Sequence, residues 1–285
     1  MTYKELFEYS IEELNKVGIL EAESDTRVLF SYLLNADRGF LFMHGEDEVP
    51  KEDLDSVLEA IVLRKQRIPV QHITGYQNFM GLEFKVNENV LIPRFDTECL
   101  VEEAMLLCND GDKVLDVCTG SGCILLSLMK YKNDIDGYGV DISSKALDIA
   151  KDNISVLTND ELCKPTVQTP TFIESDLFSE IYEKDFDIIV SNPPYIRSDV
   201  IKGLEPEVKD YDPMLALDGG EDGLIFYRRI TKEAREYLKK NGYLLVEIGN
   251  DQADDVKSLF EINGYRDVKV VKDLCGNDRV VLGKL

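Results

Sequence analysis

The sequence predicts an α/β protein in which a small N-terminal helical bundle precedes a doubly wound, mostly parallel sheet. Between Tyr3 and Val70, apolar residues recur at three- and four-residue steps, which is the spacing of amphipathic helices. From about Asp96 onward, short apolar runs that end in turn residues alternate with helical segments. That alternation is typical of parallel strands joined by crossover helices, and it indicates helices on both faces of the sheet.

The helical pattern at the N-terminus predicts a separate domain over residues 1–75. Its apolar steps include Phe7, Ile11 and Leu14 at the start and Leu54 and Ile61 near the end. A β-hairpin linker is expected over residues 76–95. Residues 81–86 alternate apolar and polar, residues 87–89 supply a turn, and residues 90–92 form a second short apolar run before Pro93.

The remaining residues, 96–285, are expected to form the sheet domain. Asp96 or Thr97 can cap its first helix. We expect strands at 113–117, 138–140, 171–173, 186–190 and 243–248, with helices at about 143–153 and 223–239. The turn-rich stretch after Asp273 separates two last apolar runs, 268–271 and 279–282, which indicates an antiparallel pair that closes the sheet.

Charge and composition exclude several classes of partner. The 285 residues carry 32 basic and 55 acidic side chains, a net charge of −23, so the surface repels phosphate backbones and we expect no direct nucleic-acid partner. Without a 20-residue apolar run or a signal peptide, we expect a cytoplasmic protein with no membrane contact. Six cysteines without a C-x-x-C pair, and only two histidines, predict no metal site.

A glycine-containing turn follows the first buried strand of the sheet domain and is the first candidate ligand site. It comprises Cys118, Thr119, Gly120, Ser121 and Gly122. Such a turn lets backbone approach a ligand at a helix N-terminus. No Gly-Lys-Ser/Thr follows, and Leu125 stands where a dinucleotide fingerprint has its third glycine, so a smaller ligand is indicated. The alternative is a tight turn that needs glycine for steric reasons.

Two acidic residues follow the next two strands. Asp141 lies where a carboxylate can accept hydrogen bonds from both hydroxyls of a ribose, although it could instead cap the following helix. Asp176 could accept a proton from an adenine amino group, while Leu177 covers the ring. Asp176 could equally well serve as a cap that stabilises the loop.

The segment Asn192-Pro193-Pro194-Tyr195 comes directly after a buried strand, where open α/β sheets keep their sites. Prolines donate no backbone hydrogen bond, so this loop offers acceptors, namely the Asn192 side-chain oxygen and the Pro193 carbonyl. Two acceptors suit a planar NH₂ group, against which Tyr195 can pack. The alternative is a rigid turn with proline chosen for stiffness.

At these four motifs the sequence resembles the class I S-adenosylmethionine-dependent methyltransferases, and the Asn-Pro-Pro-Tyr loop narrows the resemblance to enzymes that methylate planar nitrogens. Over essentially the whole chain it resembles the HemK/PrmC release-factor glutamine methyltransferases. Further matching segments are 92–98, 205–207, 216–224, 227–228, 246–249 and 273–279. One departure is Phe95, which stands where the family usually has the second proline of Pro-Arg-Pro-Asp-Thr-Glu.

The resemblance implies a seven-stranded sheet, S-adenosylmethionine as cofactor without a metal, and methylation of the glutamine of the Gly-Gly-Gln motif in peptide chain release factors. We expect the protein to be a monomer. It implies that Cys118–Gly122 line the methionine part of the cofactor, that Asp141 binds the ribose and that Asp176 with Leu177 borders the adenine. Asn192 to Tyr195 would hold the glutamine, and Asn192 would also touch the cofactor. Phe79 lies where a family aromatic is expected near the substrate, although it could equally be a packing residue.

Catalysis is expected to be mainly positional, because no His, Cys or Lys stands in the Asn-Pro-Pro-Tyr loop to act as a base. Asn192, Pro193 and Tyr195 are the predicted catalytic residues. Two alternatives remain open. An adenine-N6 methyltransferase could hold a flipped base in the same loop, although the net charge weighs against it. A catalytically silent cofactor-binding scaffold would not need that loop.

Overall fold

The computed structural model describes residues 1–158 and 168–285, which divide into two compact units. The first unit comprises Met1–Tyr76 together with Glu205–Tyr211. The second comprises Gln77–Leu204 and Asp212–Leu285. Within the described residues no helix is both long and apolar enough to cross a bilayer.

The first unit contains five helices, as its apolar spacing predicts. They are α1 (Tyr3–Lys16), α2 (Ala22–Leu34), α3 (Arg38–His44), α4 (Lys51–Lys65) and α5 (Val70–Thr74). A capping box begins α1, since the Thr2 hydroxyl accepts from the Glu5 backbone N–H and the Glu5 carboxylate accepts from the Thr2 N–H. Fully buried side chains from three of these helices form the core: Leu6, Leu14, Leu29, Phe30, Val57 and Ile61.

Residues 205–211 join this helical unit from far along the chain. Arg64, whose side chain is only 7% exposed, pairs with Asp25 at 2.7 Å and with Glu207 at 2.8 Å. Arg67 also pairs with Glu207 at 2.8 Å, and the Tyr211 hydroxyl donates to the Gln66 carbonyl at 3.0 Å. Because breaking a buried pair strands a charge away from water, these contacts hold the segment firmly.

A β-hairpin opens the second unit, as predicted, but only one of its two predicted strands is observed: the segment 81–86 contains β2, whereas its partner precedes it in the chain. The hairpin pairs β1 (Tyr76–Phe79) with β2 (Leu82–Lys85), and residues 90–92 lie outside any strand. Its turn is Met80-Gly81, both with positive φ, at 52° and 71°. Paired positive φ values match the twist of a two-residue hairpin turn. The turn therefore lies at Met80-Gly81 and not at the Asn-rich residues 87–89, where the composition predicted it.

The large sheet has seven strands, which confirms the predicted fold. They are β3 (Lys113–Val117), β4 (Asp136–Asp141), β5 (Thr171–Glu174), β6 (Phe186–Ser191), β7 (Leu238–Glu247), β8 (Arg266–Lys272) and β9 (Asp278–Lys284). Their order is β5-β4-β3-β6-β7-β9-β8, in which the first five are parallel and β9 is antiparallel to both neighbours.

Helices cover both faces of this sheet around two buried apolar clusters. They are α6 (Glu98–Leu107), α7 (Cys123–Tyr131), α8 (Ser144–Asp152), α9 (Ile225–Glu233) and α10 (Ala253–Ile262). The helix expected over 223–239 is shorter than predicted, because Phe186 of β6 already pairs with Leu238 of β7. Single helical turns lie at Pro206–Lys209 and Met214–Leu217, and 3-10 turns at Phe95–Thr97, Asn153–Leu157, Ile201–Gly203 and Ala234–Glu236.

The strand order reverses between β3 and β6, and this reversal positions the candidate site. Val117 at the end of β3 lies opposite Val140 of β4 on one side and Ser191 of β6 on the other. The segments that follow these strands therefore leave the same edge of the sheet side by side. Open α/β sheets bind ligands at such a reversal.

Candidate active site

The turn after β3 adopts the left-handed backbone conformation at three positions. Cys118, Gly120 and Gly122 have φ values of 62°, 55° and 78°. A Cβ on Gly122 would lie 3.2 to 3.4 Å from Leu126, Ala150 and Phe172, so that glycine serves close packing. A Cβ on Gly120 would meet nothing within 4 Å, because this part of the turn faces open space that a ligand can approach.

Asp141, the last residue of β4, holds this turn in place. One carboxylate oxygen accepts from the Gly120 backbone N–H at 2.9 Å, and the other accepts from the Ser143 N–H at 2.9 Å. Burial raises the pKa of Asp141, and these backbone donors oppose the shift. The side chain therefore does stabilise the start of the next helix, yet each oxygen keeps a lone pair for a further donor such as a ribose hydroxyl.

Asp176 and Leu177 follow β5 and differ sharply in exposure. Asp176 is exposed, and one of its oxygens pairs with Arg229 at 2.8 Å. Leu177 is only 4% exposed, has a φ of 53°, and its carbonyl accepts from the Ser175 hydroxyl at 2.8 Å. The strained backbone turns the apolar side chain inward while the carboxylate stays at the surface.

A cleft in the second unit brings six of the predicted residues together: Cys118, Gly120, Asp141, Asp176, Leu177 and Pro194. Its other walls are mainly apolar and include Val90, Leu91, Leu215, Ala216 and Phe226. Apolar walls with carboxylates at the edges suit a ligand that combines a flat ring, a polyol and a positive charge.

Seven predicted residues do not line this cleft: Phe79, Thr119, Ser121, Gly122, Asn192, Pro193 and Tyr195. Thr119 is buried and its hydroxyl donates to Asp116 at 2.7 Å, while the carbonyl of the buried Ser121 accepts from Asn153 Nδ2 at 3.0 Å. Gly122 packs as described. Phe79 is 1% exposed and packs edge-on against Phe84 in the core, so its assignment to the substrate site is corrected to a packing role.

The Asn192–Tyr195 loop leaves β6 at the reversal point and is held by side chains from three other segments. Asn192 Nδ2 donates to the Thr97 hydroxyl at 3.2 Å, and the Tyr195 hydroxyl donates to Glu247 Oε1 at 3.3 Å. Gln252 Nε2 donates to the Tyr195 carbonyl at 3.0 Å. Sequence reasoning missed Thr97, Glu247 and Gln252 as parts of the site.

Gly219 explains why a glycine pair follows this loop along the chain. A Cβ on Gly219 would lie 2.8 Å from the backbone of Tyr195, closer than real Cβ contacts come. The Gly219 N–H also donates to the Ile196 carbonyl at 2.8 Å. The segment therefore locks the backbone of the Asn-Pro-Pro-Tyr loop from behind, and only glycine fits there.

The thiol and phenol groups in and near the cleft are poorly suited to abstract a proton or to attack as nucleophiles. Burial raises the pKa of the Tyr195 hydroxyl and of the Cys118 thiol, and it raises the pKa of Cys123 to about 12. These groups stay neutral near pH 7. Within the part of the chain that the structure describes, the cleft walls carry no histidine or lysine. The arrangement can orient a ligand rather than activate one by proton transfer.

Metal ligands do not gather in the described part of the chain. Residues 1–158 and 168–285 contain no group of three or more His, Cys, Asp or Glu side chains that could hold an ion. The five described cysteines are free thiols, and Cys163 lies outside the described residues.

Asp116 should make the folded protein less stable as pH rises, which is the reverse of the usual effect of a carboxyl group. It is fully buried under the glycine turn, and burial raises its pKa to about 7. The folded state therefore holds a proton that the unfolded state, with a pKa of about 3.9, releases. Stability should fall as pH rises from about 4 to about 7, by on the order of 2 to 4 kcal/mol for this group.

Replacing Asp116 with Asn should remove most of that contribution, because the amide keeps the Thr119 hydrogen bond but carries no charge. We expect urea denaturation to show a smaller loss of stability between pH 5 and pH 8 in the variant than in the wild type. Carboxylates with lowered pKa values, such as Asp222 at about 2, change stability only below this range. Equal slopes in both proteins would show that Asp116 is ionised throughout.

Comparisons with known proteins agree with this geometry. Residues 5–75 match the family described as PrmC N-terminal domain, and residues 94–204 match the family described as Methyltransferase small domain. A release factor glutamine methyltransferase from Clostridium acetobutylicum is 44% identical over 260 residues, which cover 90% of each chain. A release factor glutamine methyltransferase from Geobacter sulfurreducens is 38% identical, covering 100% of this chain and 97% of the relative.

One solved structure supports the fold alone. A methyltransferase from Pyrococcus furiosus superposes with a TM-score of 0.51 at 15% identity, covering 82% of this chain and 98% of that one. At that identity, the likeness concerns the arrangement of strands and helices and carries no information about the substrate.

Proposed function

The chain belongs to the release factor glutamine methyltransferase family, and from that premise we propose how its own residues carry out the reaction. It transfers a methyl group from S-adenosylmethionine to the side-chain amide nitrogen of the glutamine in the Gly-Gly-Gln motif of peptide chain release factors. The observation that carries this proposal is that Pro194 of the Asn-Pro-Pro-Tyr loop lines the same cleft as Asp141. A group held by that loop would therefore be next to a ligand held by Asp141.

The cleft residues fit this cofactor. When bound, S-adenosylmethionine supplies a methyl group on a positively charged sulfur, and the carboxylates at the edge of the cleft favour a cation. We propose that the 118–122 turn contacts the methionine part and that the free lone pairs of Asp141 accept from the ribose hydroxyls. Asp176 would accept from the adenine amino group beside the buried Leu177. The role of the turn rests on backbone groups, because Thr119 and Ser121 are buried.

The Asn-Pro-Pro-Tyr loop would hold the glutamine amide by accepting both of its protons. Asn192 Oδ1 and the Pro193 carbonyl are the proposed acceptors, and Tyr195 packs against the planar group. An amide nitrogen is a weak nucleophile, since its lone pair is delocalised. Fixing it in line with the methyl group can supply several kcal/mol of the barrier reduction, and the proton leaves late to water.

The helical domain, residues 1–75, is the part we propose to dock the body of the release factor. That docking should supply binding energy that a short peptide lacks. We expect kcat/KM for an intact release factor to exceed that for a Gly-Gly-Gln peptide by on the order of 100-fold, which corresponds to about 3 kcal/mol. Labelled cofactor and mass spectrometry of both substrates measure the ratio. Since release factors act in translation, we place this activity in the cytoplasm.

A release factor whose motif glutamine is replaced by glutamate is the matched control, because it keeps the shape and lacks the nitrogen. It should accept no methyl group at that position. Equal kcat/KM values for peptide and intact protein would assign the helical domain another role. Methylation of adenine in DNA, with the release factor untouched, would overturn the proposed function.

Ion pairs within the helical unit argue against the DNA outcome. Arg64, Lys65 and Arg67 are the basic cluster that could have formed a local phosphate-binding patch. In the structure Arg64 and Arg67 pair with carboxylates at 2.7 to 3.3 Å, and Lys65 pairs with Glu13. Their charge is neutralised locally, which leaves the net charge of −23 to dominate.

A further inference from the structure

A buried carboxyl group lies behind the Asn-Pro-Pro-Tyr loop and has no role in the reaction as described so far. Glu247 ends β7, and its neighbour Val246 lies opposite Ser191, the residue before the loop. Glu247 is 1% exposed. Oε1 accepts from the Tyr195 hydroxyl, whereas Oε2 is buried with no hydrogen-bond partner among the described residues. A buried carboxyl left partly unsatisfied is costly, so a functional reason is expected.

Thr97 connects this carboxyl group to Asn192. The Thr97 side chain is 2% exposed, and its oxygen accepts from Asn192 Nδ2 at 3.2 Å. Its hydroxyl is also near enough to the Glu247 carboxyl group to lower the pKa of that group. A hydroxyl has a single proton. When ionised Glu247 accepts that proton, the Thr97 oxygen can only accept from Asn192. The NH₂ group of Asn192 then faces Thr97, and Oδ1 is left for another partner.

We propose that Thr97 and Glu247 are positioning residues that fix the orientation of the Asn192 side-chain amide, so that its oxygen rather than its nitrogen faces the glutamine amide. The inference rests on the proposed role of Asn192 as an acceptor for the substrate. We call the Glu247–Thr97–Asn192 chain of contacts the relay. Without it, the Asn192 amide can take either orientation, and the inverted orientation places the Asn192 NH₂ group against the NH₂ group of the glutamine. Neither Thr97 nor Glu247 needs to touch the substrate or the cofactor.

The orientation should depend on the ionisation of Glu247. Burial raises its pKa to about 7, while the Thr97 hydrogen bond and the Arg279 guanidinium oppose the shift. A protonated Glu247 would offer a donor of its own and release the Thr97 proton from its constraint. The other titratable or charged groups that face Glu247 are Asp96, Tyr195, Tyr227, Cys99, Cys123 and Arg279. We therefore expect turnover to rise with pH through about 7.

Thr97→Val and Thr97→Ser test the relay in the full-length protein, with release factor and S-adenosylmethionine both saturating. Valine keeps the side-chain shape without the hydroxyl, so kcat should fall on the order of tenfold, the fold-change of one ordinary hydrogen bond. Serine restores the hydroxyl and should recover most of that loss. Cofactor affinity should change less than about twofold in both. Thermal melting shows whether each variant is folded.

A double-variant cycle separates positioning from general packing. If Thr97 acts through Asn192, Thr97→Val should lower kcat no further in an Asn192→Ala background. A full tenfold further loss in that background would overturn the proposal. So would near wild-type kcat in folded Thr97→Val.

Glu247→Gln decides the matter if Thr97→Val does not fold. Glutamine has no ionisation, so the rise in kcat through pH 7 should disappear. Asp116 has a similarly raised pKa, so a rise that survives in Glu247→Gln comes from a group other than Glu247. An unchanged pH profile overturns the inference. A wild-type protein that leaves the release factor unmethylated overturns the proposed function itself, which is a different result from an active enzyme indifferent to these changes.

Discussion

Replacing Asn192 with Ala should lower turnover of an intact release factor by roughly 30- to 1,000-fold while leaving cofactor affinity nearly unchanged. The reason is that Asn192 is the proposed acceptor for the glutamine amide, whereas the cofactor contacts proposed above come chiefly from the 118–122 turn and Asp141. Losing one well-placed polar group in a water-poor site costs about 2 to 4 kcal/mol of transition-state stabilisation, by analogy with an oxyanion-hole donor. Single-turnover kinetics at saturating S-adenosylmethionine measure the effect.

Saturation matters in that experiment because the family resemblance also places Asn192 near the methionine part of the cofactor. Asn133→Ala is a matched control, since Asn133 is an exposed residue that hydrogen-bonds with Asp110 and is not part of the site. It should leave turnover unchanged. Near-normal turnover in folded Asn192→Ala would remove the loop from the mechanism.

Replacing Asp141 with Ala should weaken S-adenosylmethionine binding by about 1.5 to 3 kcal/mol, or roughly 10- to 150-fold. The substitution removes the carboxylate that is proposed to accept from the ribose hydroxyls. It also leaves the Gly120 and Ser143 N–H groups without their acceptor, so the glycine turn becomes less well ordered for a ligand. Both effects act in the same direction, and isothermal calorimetry measures their sum.

Asp148→Ala is a suitable control for that substitution. Asp148 lies on α8, the helix that follows Asp141, and pairs with Lys151 on the surface. Its loss should leave cofactor affinity within about twofold, because exposed pairs contribute little. If Asp141→Ala is folded and binds the cofactor as tightly as the wild type, Asp141 serves the turn alone and another group holds the ribose.

The fold was predictable because its signals are local. The buried strands, their turn residues and the helices between them appear in order along the sequence, and parallel topology then brings the strand ends to one edge. The cleft gathers Cys118, Gly120, Asp141, Asp176, Leu177 and Pro194 for that reason. Their roles toward the cofactor and substrate remain predictions.

The parts that sequence reasoning missed depend on contacts between distant residues. Thr97 and Glu247 lie in segments that carry the family resemblance, yet nothing in their local sequence shows that Thr97 contacts Asn192 or that Glu247 contacts Tyr195. The resemblance placed Phe79 near the site, but its ring is buried and packs against the ring of Phe84. The Met80-Gly81 turn was missed because methionine seldom takes a positive φ.

Residues 205–211 limit where the chain can be truncated or joined to that of a relative. Because they belong to the helical unit, that unit is not one continuous stretch of sequence, and cutting the chain at residue 75 removes only part of it. Glu207, twelve residues after Tyr195, would lose both Arg64 and Arg67. The helical unit therefore cannot be exchanged between relatives by joining the two chains at a single point. A chimera that exchanges the N-terminal helices must carry the matching 205–211 segment with them.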